Sequence, residues 1–271
     1  MTVDRYLLES DRTYFECGAR LTPLPGAVLA HLAGFEDLAA GAVVHRIDPG
    51  GLAPDPLTWL VALEKRLAAL GVQRAQLYLD VPAPELEWAL THIGYRCREE
   101  VGLLHPAAPL QSDVTLTPIR DEEDWHLKQA LHPDNEPGPD GHTNNPVRWV
   151  AFERFKQAAG YFTLYLARHH GEVCGAMGMA EVGPIMQFKN LVVAPAHRRR
   201  GVGAAMLRAG VRLAHDRNKM ALGGFAITGD AGAALYLGRG FTPVTRHWGW
   251  DRLLTVAAPV RRFQRTARAH R

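Results

Sequence analysis

Apolar positions recur along the chain at two spacings, and each spacing indicates a different kind of element. Leu60, Leu63, Leu67 and Leu70 follow one another at intervals of three and four, which places them on one face of a helix that Gly71 ends. Ala75 to Val81 then alternates apolar with less apolar residues, as a strand does. A short helix from about Pro84 to His92 stops before Gly94, and Tyr95 to Leu104 reads as a further strand. The same order returns near the other end of the chain. Val202, Met206, Ala209 and Leu213 make a helix face, Leu222 to Thr228 a strand, and Ala231 to Leu237 a short helix stopped near Gly238 and Gly240. Ile93-Gly94-Tyr95 and Arg239-Gly240-Phe241 align without gaps into the strands that follow them, so the pattern predicts an internal repeat.

A longer run of elements precedes the second copy. Thr115 to Arg120 reads as a strand and Asp121 to Leu131 as a helix, followed by a loop rich in Pro, Gly, Asp and Asn from His132 to Asn145. Pro146 starts a helix reaching about Ala159. Tyr161 to Arg168 and Val173 to Glu181 form a hairpin turning at His169-His170-Gly171-Glu172, and the strand Ile185 to Val193 is closed by Pro195. The first copy has less room ahead of its helix, with Tyr14 to Leu21, Ala27 to Leu32 and Ala42 to Ile47 as weaker strand candidates. The Pro-containing stretch from His105 to Asp113 has neither period and reads as a linker. We therefore expect two domains, residues 1–106 and 113–258, joined by 107–112 and followed by a basic tail, 259–271; a length of 271 residues suits two domains.

Composition narrows the class. With 47% hydrophobic and 22% charged residues the chain reads as an ordinary soluble protein, and its net charge of +3 is too small to argue for nucleic acid. The three cysteines, Cys17, Cys97 and Cys174, form no C-x-x-C pair, which fits a reducing cytoplasm. There is no apolar run of about 18 residues and no apolar stretch behind Met1, so a cytoplasmic location without a membrane partner is expected.

The segment that carries chemistry runs from the strand Leu191-Val192-Val193, through Pro195, into Arg198-Arg199-Arg200-Gly201-Val202-Gly203-Ala204 at the head of a helix. The first turn of a helix holds amides with no intrahelical partner and about half a positive charge. Glycine lets that backbone approach an anion closely, and three arginines at the same end conflict with the helix dipole unless an anion neutralises them. A solvated basic turn is the plainer alternative. The stretch resembles motif A of the GCN5-related N-acetyltransferase (GNAT) superfamily, R/Q-x-x-G-x-G/A entered from L-x-V-x-P, through Leu191, Val193, Pro195, Arg198, Gly201 and Gly203. A later family motif, L-Y-x-x-x-G-F, is matched by Leu235, Tyr236, Gly240 and Phe241. The G-K-[ST] and G-x-G-x-x-G phosphate loops are absent.

That resemblance, which spans about Thr115 to Leu254, implies an α/β (α+β) fold of tandem acyl-CoA N-acyltransferase-like domains, each a mixed, mostly antiparallel sheet with helices on both faces. It implies an acetyl-CoA-dependent N-acetyltransferase in which a primary amine attacks the bound thioester directly in a ternary complex. The amides of Arg199 to Ala204, with Arg198, Arg199 and Arg200, would hold the cofactor diphosphate; Leu191, Val192 and Val193 would pair with its pantetheine arm; Tyr236 would protonate the leaving thiolate. Two departures stand out. Gly229, beside Asp230, occupies the place where many members carry asparagine, and Asp230 reads better as a helix N-cap. The strand Ile185-Met186-Gln187-Phe188-Lys189-Asn190 lacks the glutamate that members often use as base, which leaves Glu181, His142, Asp140 or the amine's own acidity.

Other features carry less. His132, Asp134, Asp140 and His142 lack metal-ligand spacing, so no metal is expected. Cys174 in a strand reads as packing, and the arginines after Pro259 as a solvated end. Ahead of its helix the first copy has Pro49-Gly50-Gly51 in place of an arginine-glycine turn, and is expected to bind no cofactor. It is left with packing, pocket walls or contacts to a second copy of the chain. The resemblance implies a small-molecule or peptide amine as acceptor; a non-catalytic acyl-CoA-binding or interaction protein is the competing reading.

Overall fold

The computed structural model describes residues 2–132 and 145–254. The first half runs α1 (Val3–Glu16), β1 (Arg20–Leu24), β2 (Ala27–His31), β3 (Ala42–His45), α2 (Pro56–Ala69), β4 (Arg74–Leu79), α3 (Pro84–His92) and β5 (Arg96–Pro106). The second runs β6 (Val114–Pro118), α4 (Glu122–Ala130), α5 (Pro146–Ala158), β7 (Thr163–His169), β8 (Glu172–Val182), β9 (Ile185–Val193), α6 (Val202–Asp216), β10 (Ala221–Ile227), α7 (Ala231–Leu237) and β11 (Thr242–Leu253). Among the described residues, no helix is long and apolar enough to cross a membrane. The anticipated elements from Ala27 onward are present. The chain ahead of them differs from expectation, because residues read as a strand from Tyr14 are the last turn of α1. Leu7, Ser10, Asp11, Tyr14 and Phe15 form its buried face, at the three-four spacing of a helix.

The repeat is visible in the pairing. β1–β2 and β2–β3 are antiparallel and β3–β4 parallel across α2; β7–β8 and β8–β9 are antiparallel and β9–β10 parallel across α6. All eleven strands form one mixed sheet in the order β1-β2-β3-β4-β11-β5-β10-β9-β8-β7-β6. The two terminal strands have changed places. β5, from the first half, pairs with β10, and β11, from the second, pairs with β4, while β5 and β11 pair with each other at the centre.

The cores follow the exchange. Val101 and Leu103 of β5 lie in the cluster beneath α6 and α7, with Met206, Leu207 and Tyr236. Trp250 of β11 lies in the cluster beneath α2 and α3, with Leu60, Leu67 and Leu90. Residues 107–113 cross between the halves but are held in place, since Ser112 Oγ donates to Ala205 O at 2.8 Å. On the opposite face a single core joins the halves, running from Tyr14, Phe15 and Phe35 to Phe152, Tyr161 and Leu166.

Helix α1 lies across this second face and is tied to both halves. Arg12 reaches Asp80, just after β4, at 2.5 Å, and Arg46, just after β3, reaches Glu9 at 2.6 Å and Glu16 at 2.7 Å. From α5, Lys156 Nζ donates to the carbonyls of Tyr14 (2.6 Å), Phe15 (3.3 Å) and Cys17 (2.8 Å), placing a cation where the helix dipole is negative. Burial pushes the Lys156 ammonium down to about 8.

Exchanged strands should couple the halves in unfolding. Trp250→Ala, in the second half of the chain, removes a side chain from the first half's core and is expected to cost about 3–5 kcal/mol. Denaturant titration followed by far- and near-ultraviolet circular dichroism should show one transition shifted as a whole; two separate transitions would contradict the coupling.

Candidate active site

The site is built where β9 parts from both neighbours. Against β8 the register jumps, with Gly178 opposite Lys189 but Ala176 opposite Val192, so Asn190 and Leu191 bulge opposite Met177. Asn190 takes a φ of 53°, a left-handed conformation that asparagine tolerates better than most residues. Against β10 the parallel pairing covers only Ala221–Ile185, Leu222–Met186 and Gly223–Gln187. Beyond that point β10 stays with β5, and the β9 backbone from Phe188 to Val193 faces a fork.

An aromatic group closes one side of the fork. Phe188 and Tyr236 meet edge to face with centroids 5.0 Å apart, and Phe241 lies 5.9 Å from Phe188. Gly224 is required here, since a Cβ would stand 2.5 Å from Phe188 Cζ. Tyr236 is almost fully buried; desolvation first and the charge of Asp230 second hold its phenol above the usual tyrosine range, so it stays a proton donor. Asp230 caps α7, accepting from Ala233 N at 2.7 Å, as its position suggested.

At the open end, a tight turn at Pro195–His197 leads through Arg198 to Arg199 (φ 61°) and Gly201 (φ 82°). Arg198 Nε donates to Val193 O at 3.1 Å, fastening the turn to the strand. After Arg198, the next amide with a backbone acceptor among the described residues is that of Ala205, which donates to Gly201 O at 3.0 Å. No side chain caps α6 and its first turn holds no acid. A Cβ on Gly203 would lie 3.2 Å from Leu235 and 3.7 Å from Val193, so this helix end, the end of β9 and α7 converge. Leu191 to Val193, the segment Arg198 to Ala204, and Tyr236 are thus brought around one fork.

The first half closes the equivalent place with its own chemistry. Asp55 caps α2, its carboxylate accepting from Thr58 N at 3.0 Å and Thr58 Oγ1 at 2.7 Å, and Pro56 removes a further donor. An internal carboxylate stands where a phosphate would have to approach.

One candidate base is not brought to the fork. Glu181 pairs with Met186 near the β8–β9 turn, at the end of β9 remote from Val193, and is exposed and bound to Arg217 (3.2 Å) and Lys219 (2.9 Å). Asp134, Asp140, His142 and the basic tail lie outside the described residues. His132 Nε2 lies 2.7 Å from Lys128 Nζ. Cys174 is buried, with its Sγ 3.2 Å from Ala167 O.

On the other side of the fork from Tyr236, the structure assembles a polar group that sequence reasoning missed. Asp11 of α1 accepts from Gln187 Nε2 at 2.6 Å and from Lys189 Nζ. Tyr161 Oη donates to Ser10 O at 2.7 Å and lies 2.8 Å from Gln187 Oε1. Glu100 of β5 and His247 of β11 stand opposite each other across the strand exchange, Oε2 to Nε2 at 3.0 Å. The only sequence signal available was the helical stripe holding Leu7, Asp11, Tyr14 and Phe15.

Comparison with known proteins agrees with this geometry. Residues 160–243 match the family described as acetyltransferase (GNAT) domain. Over almost its whole length the chain is similar to a GCN5-related N-acetyltransferase from Kribbella flavida, with 16% identity over 93% of this chain and 96% of that one, TM-score 0.62. A functionally unknown conserved protein from Staphylococcus epidermidis aligns over 88% of this chain and 96% of its own, at 11% identity and TM-score 0.65. A tandem GNAT protein from the clavulanic acid biosynthesis pathway aligns over 85% and 79%, at 12% identity and TM-score 0.54. No curated protein matches the sequence. The structural likenesses establish the fold, and the match to the acetyltransferase (GNAT) domain covers residues 160–243.

Proposed function

We propose that the protein is an N-acetyltransferase that passes an acetyl group from acetyl-CoA to a primary amine on a small molecule or peptide. The observation that carries this reading is the fork. Among the described residues, the edge of β9 that faces β10 has no strand partner from Phe188 to Val193, and it ends against a helix N-terminus without a side-chain cap, flanked by Arg198, Arg199 and Arg200. An elongated ligand with an extended amide-bearing arm and a diphosphate fits both parts at once. Leu191, Val192 and Val193 would pair with the arm, and the amides of Arg199 to Ala204 would hold the diphosphate. Bound there, acetyl-CoA supplies the activated acyl carbon that the amine attacks.

The chain's own contribution is positioning and proton supply. Tyr236 Oη, kept protonated by burial, donates a proton to the departing sulfur. Phe188, Tyr236 and Phe241 exclude water from one side of the fork, which strengthens every dipole aimed into it. The first half, with Asp55 in its helix terminus, takes no cofactor.

Titration of acetyl-CoA by calorimetry, followed by thiol release with a panel of primary amines, tests the reading. Tight binding without turnover on any amine would favour a non-catalytic acyl-CoA-binding protein. Gly203→Asp places a carboxylate beside the helix terminus and is expected to weaken acetyl-CoA binding about tenfold or more, with Gly203→Ala much milder; equal affinities would reject the diphosphate placement. Tyr236→Phe should lower kcat by about a hundredfold with affinity for acetyl-CoA retained, and unchanged turnover would remove the tyrosine from the chemistry.

A further inference from the structure

Where the two halves share the sheet, a cavity of about 750 Å³ opens on the α1 face, and its wall includes Asp11, Tyr14, Tyr78, Glu100, Lys189 and Asn190. Lys189 and Asn190 belong to β9 at the fork, so cavity and fork share a wall. If the parallel register of Gln187 with Gly223 were continued, Leu191 would stand level with Ile227, and Ile227 is the partner of Glu100 on the next strand. Glu100 is therefore level with the β9 bulge, on the side of the sheet opposite Tyr236.

Two observations mark the cavity as a place for a ligand. Tyr14, more than nine-tenths buried, and Asn190 approach each other at the wall, yet Tyr14 Oη and Asn190 Nδ2 complete no hydrogen bond of sound geometry. Buried polar atoms in this condition are costly, and a ligand group would relieve them. The carboxylates at the wall also differ in how far they are committed. Asp11 Oδ1 is held by Gln187 and Lys189, whereas among the described residues Glu100 is anchored through Oε2, to His247. Its Oε1 lies beside Gly249, where a Cβ would be 3.3 Å away, so this glycine leaves the carboxylate room.

We infer that Glu100, on the strand the first half inserts into the second half's sheet, is the general base of the proposed transfer, and that the seam cavity receives a cationic primary amine. The inference rests on the acetyltransferase reading. His247 is the positioning residue: it is fully buried, stacked on Phe225 of β10 at 4.2 Å and tilted against Tyr78 of β4 at 4.8 Å, which fixes its ring and through it Glu100. The charged groups around Glu100 come from the elements packed about it: Asp11 and Arg12 from α1, Asp80 from the turn after β4, Arg98 from β5, Lys189 from β9 and His247 from β11. Burial first, and the neighbouring Glu100 second, hold the Tyr78 phenol well above its ordinary range.

In the step assigned to Glu100, the ammonium nitrogen gives one proton to Oε1 and gains a lone pair. The nitrogen then forms its bond to the acyl carbon while the carbon–sulfur bond breaks. The sulfur takes a proton from Tyr236 Oη, and the second proton lost by nitrogen returns to the tyrosinate. One proton remains on Glu100 and passes to solvent, and no atom changes oxidation state.

Glu100→Gln keeps the shape and removes the base. It should be compared with wild type on two nucleophiles at neutral pH, a primary alkylamine that is protonated and hydroxylamine that is not, with acetyl-CoA affinity measured by calorimetry in parallel. We expect kcat for the alkylamine to fall by about a hundredfold or more, turnover of hydroxylamine to stay near wild type, and acetyl-CoA affinity to be unchanged. His247→Asn should show the same selective loss for the alkylamine in weaker form. Equal loss on both nucleophiles, no loss on either, or a fall in acetyl-CoA affinity in step with activity would overturn the base role and leave the acetyltransferase reading standing. Acetyl-CoA binding by wild type without turnover on any amine would overturn both.

Discussion

The pairing of β5 with β11 at the centre of the sheet is the constraint on which the rest of the molecule depends. Each strand has left its own half, so its main-chain hydrogen bonds are completed by the other half. Strand alternation does the rest. A strand lodged in the neighbouring sheet must send its inward side chains into the neighbouring core, which is why Val101 and Leu103 lie under α6 and Trp250 under α2. Neither half could close its core with its own residues alone.

The exchange also shapes the chemistry. A repeat that folded twice independently would place two forks far apart, each with its own walls. Here the seam brings Glu100, His247 and α1 to the face of the second half's fork opposite Tyr236. Asp55 caps the terminus of α2 in the first half, whereas the equivalent terminus of α6 carries no side-chain cap. The first half thus supplies one wall of the seam cavity, and Lys156, Arg12 and Arg46 hold α1 in position there.

What could be read in advance was what depends on neighbours in sequence. The helical spacing of Leu60, Leu63 and Leu67, the caps and stops at Gly71 and Asp230, and the arginine-glycine turn at the head of α6 are local properties of backbone and side chain. The repeat was legible for the same reason. α1 escaped notice because its stripe is mixed, with Ser10 and Asp11 buried beside Leu7 and Tyr14, and such residues become inward-facing only when Gln187, Lys189 and Tyr161 are there to bind them.

The sequence by itself determined the elements from Ala27 onward, their doubling and the arginine-glycine turn at the head of α6, since each rests on contacts within a few residues. Tertiary structure alone decided which strand lies beside which, and hence that Glu100 meets His247 across a separation of 147 residues while Glu181 is spent on a surface ion pair. The physical reason is that β pairing is set by hydrogen bonds any backbone can make. A strand's own residues fix which faces it can bury, and the partner it finds is chosen by the packing of the whole sheet.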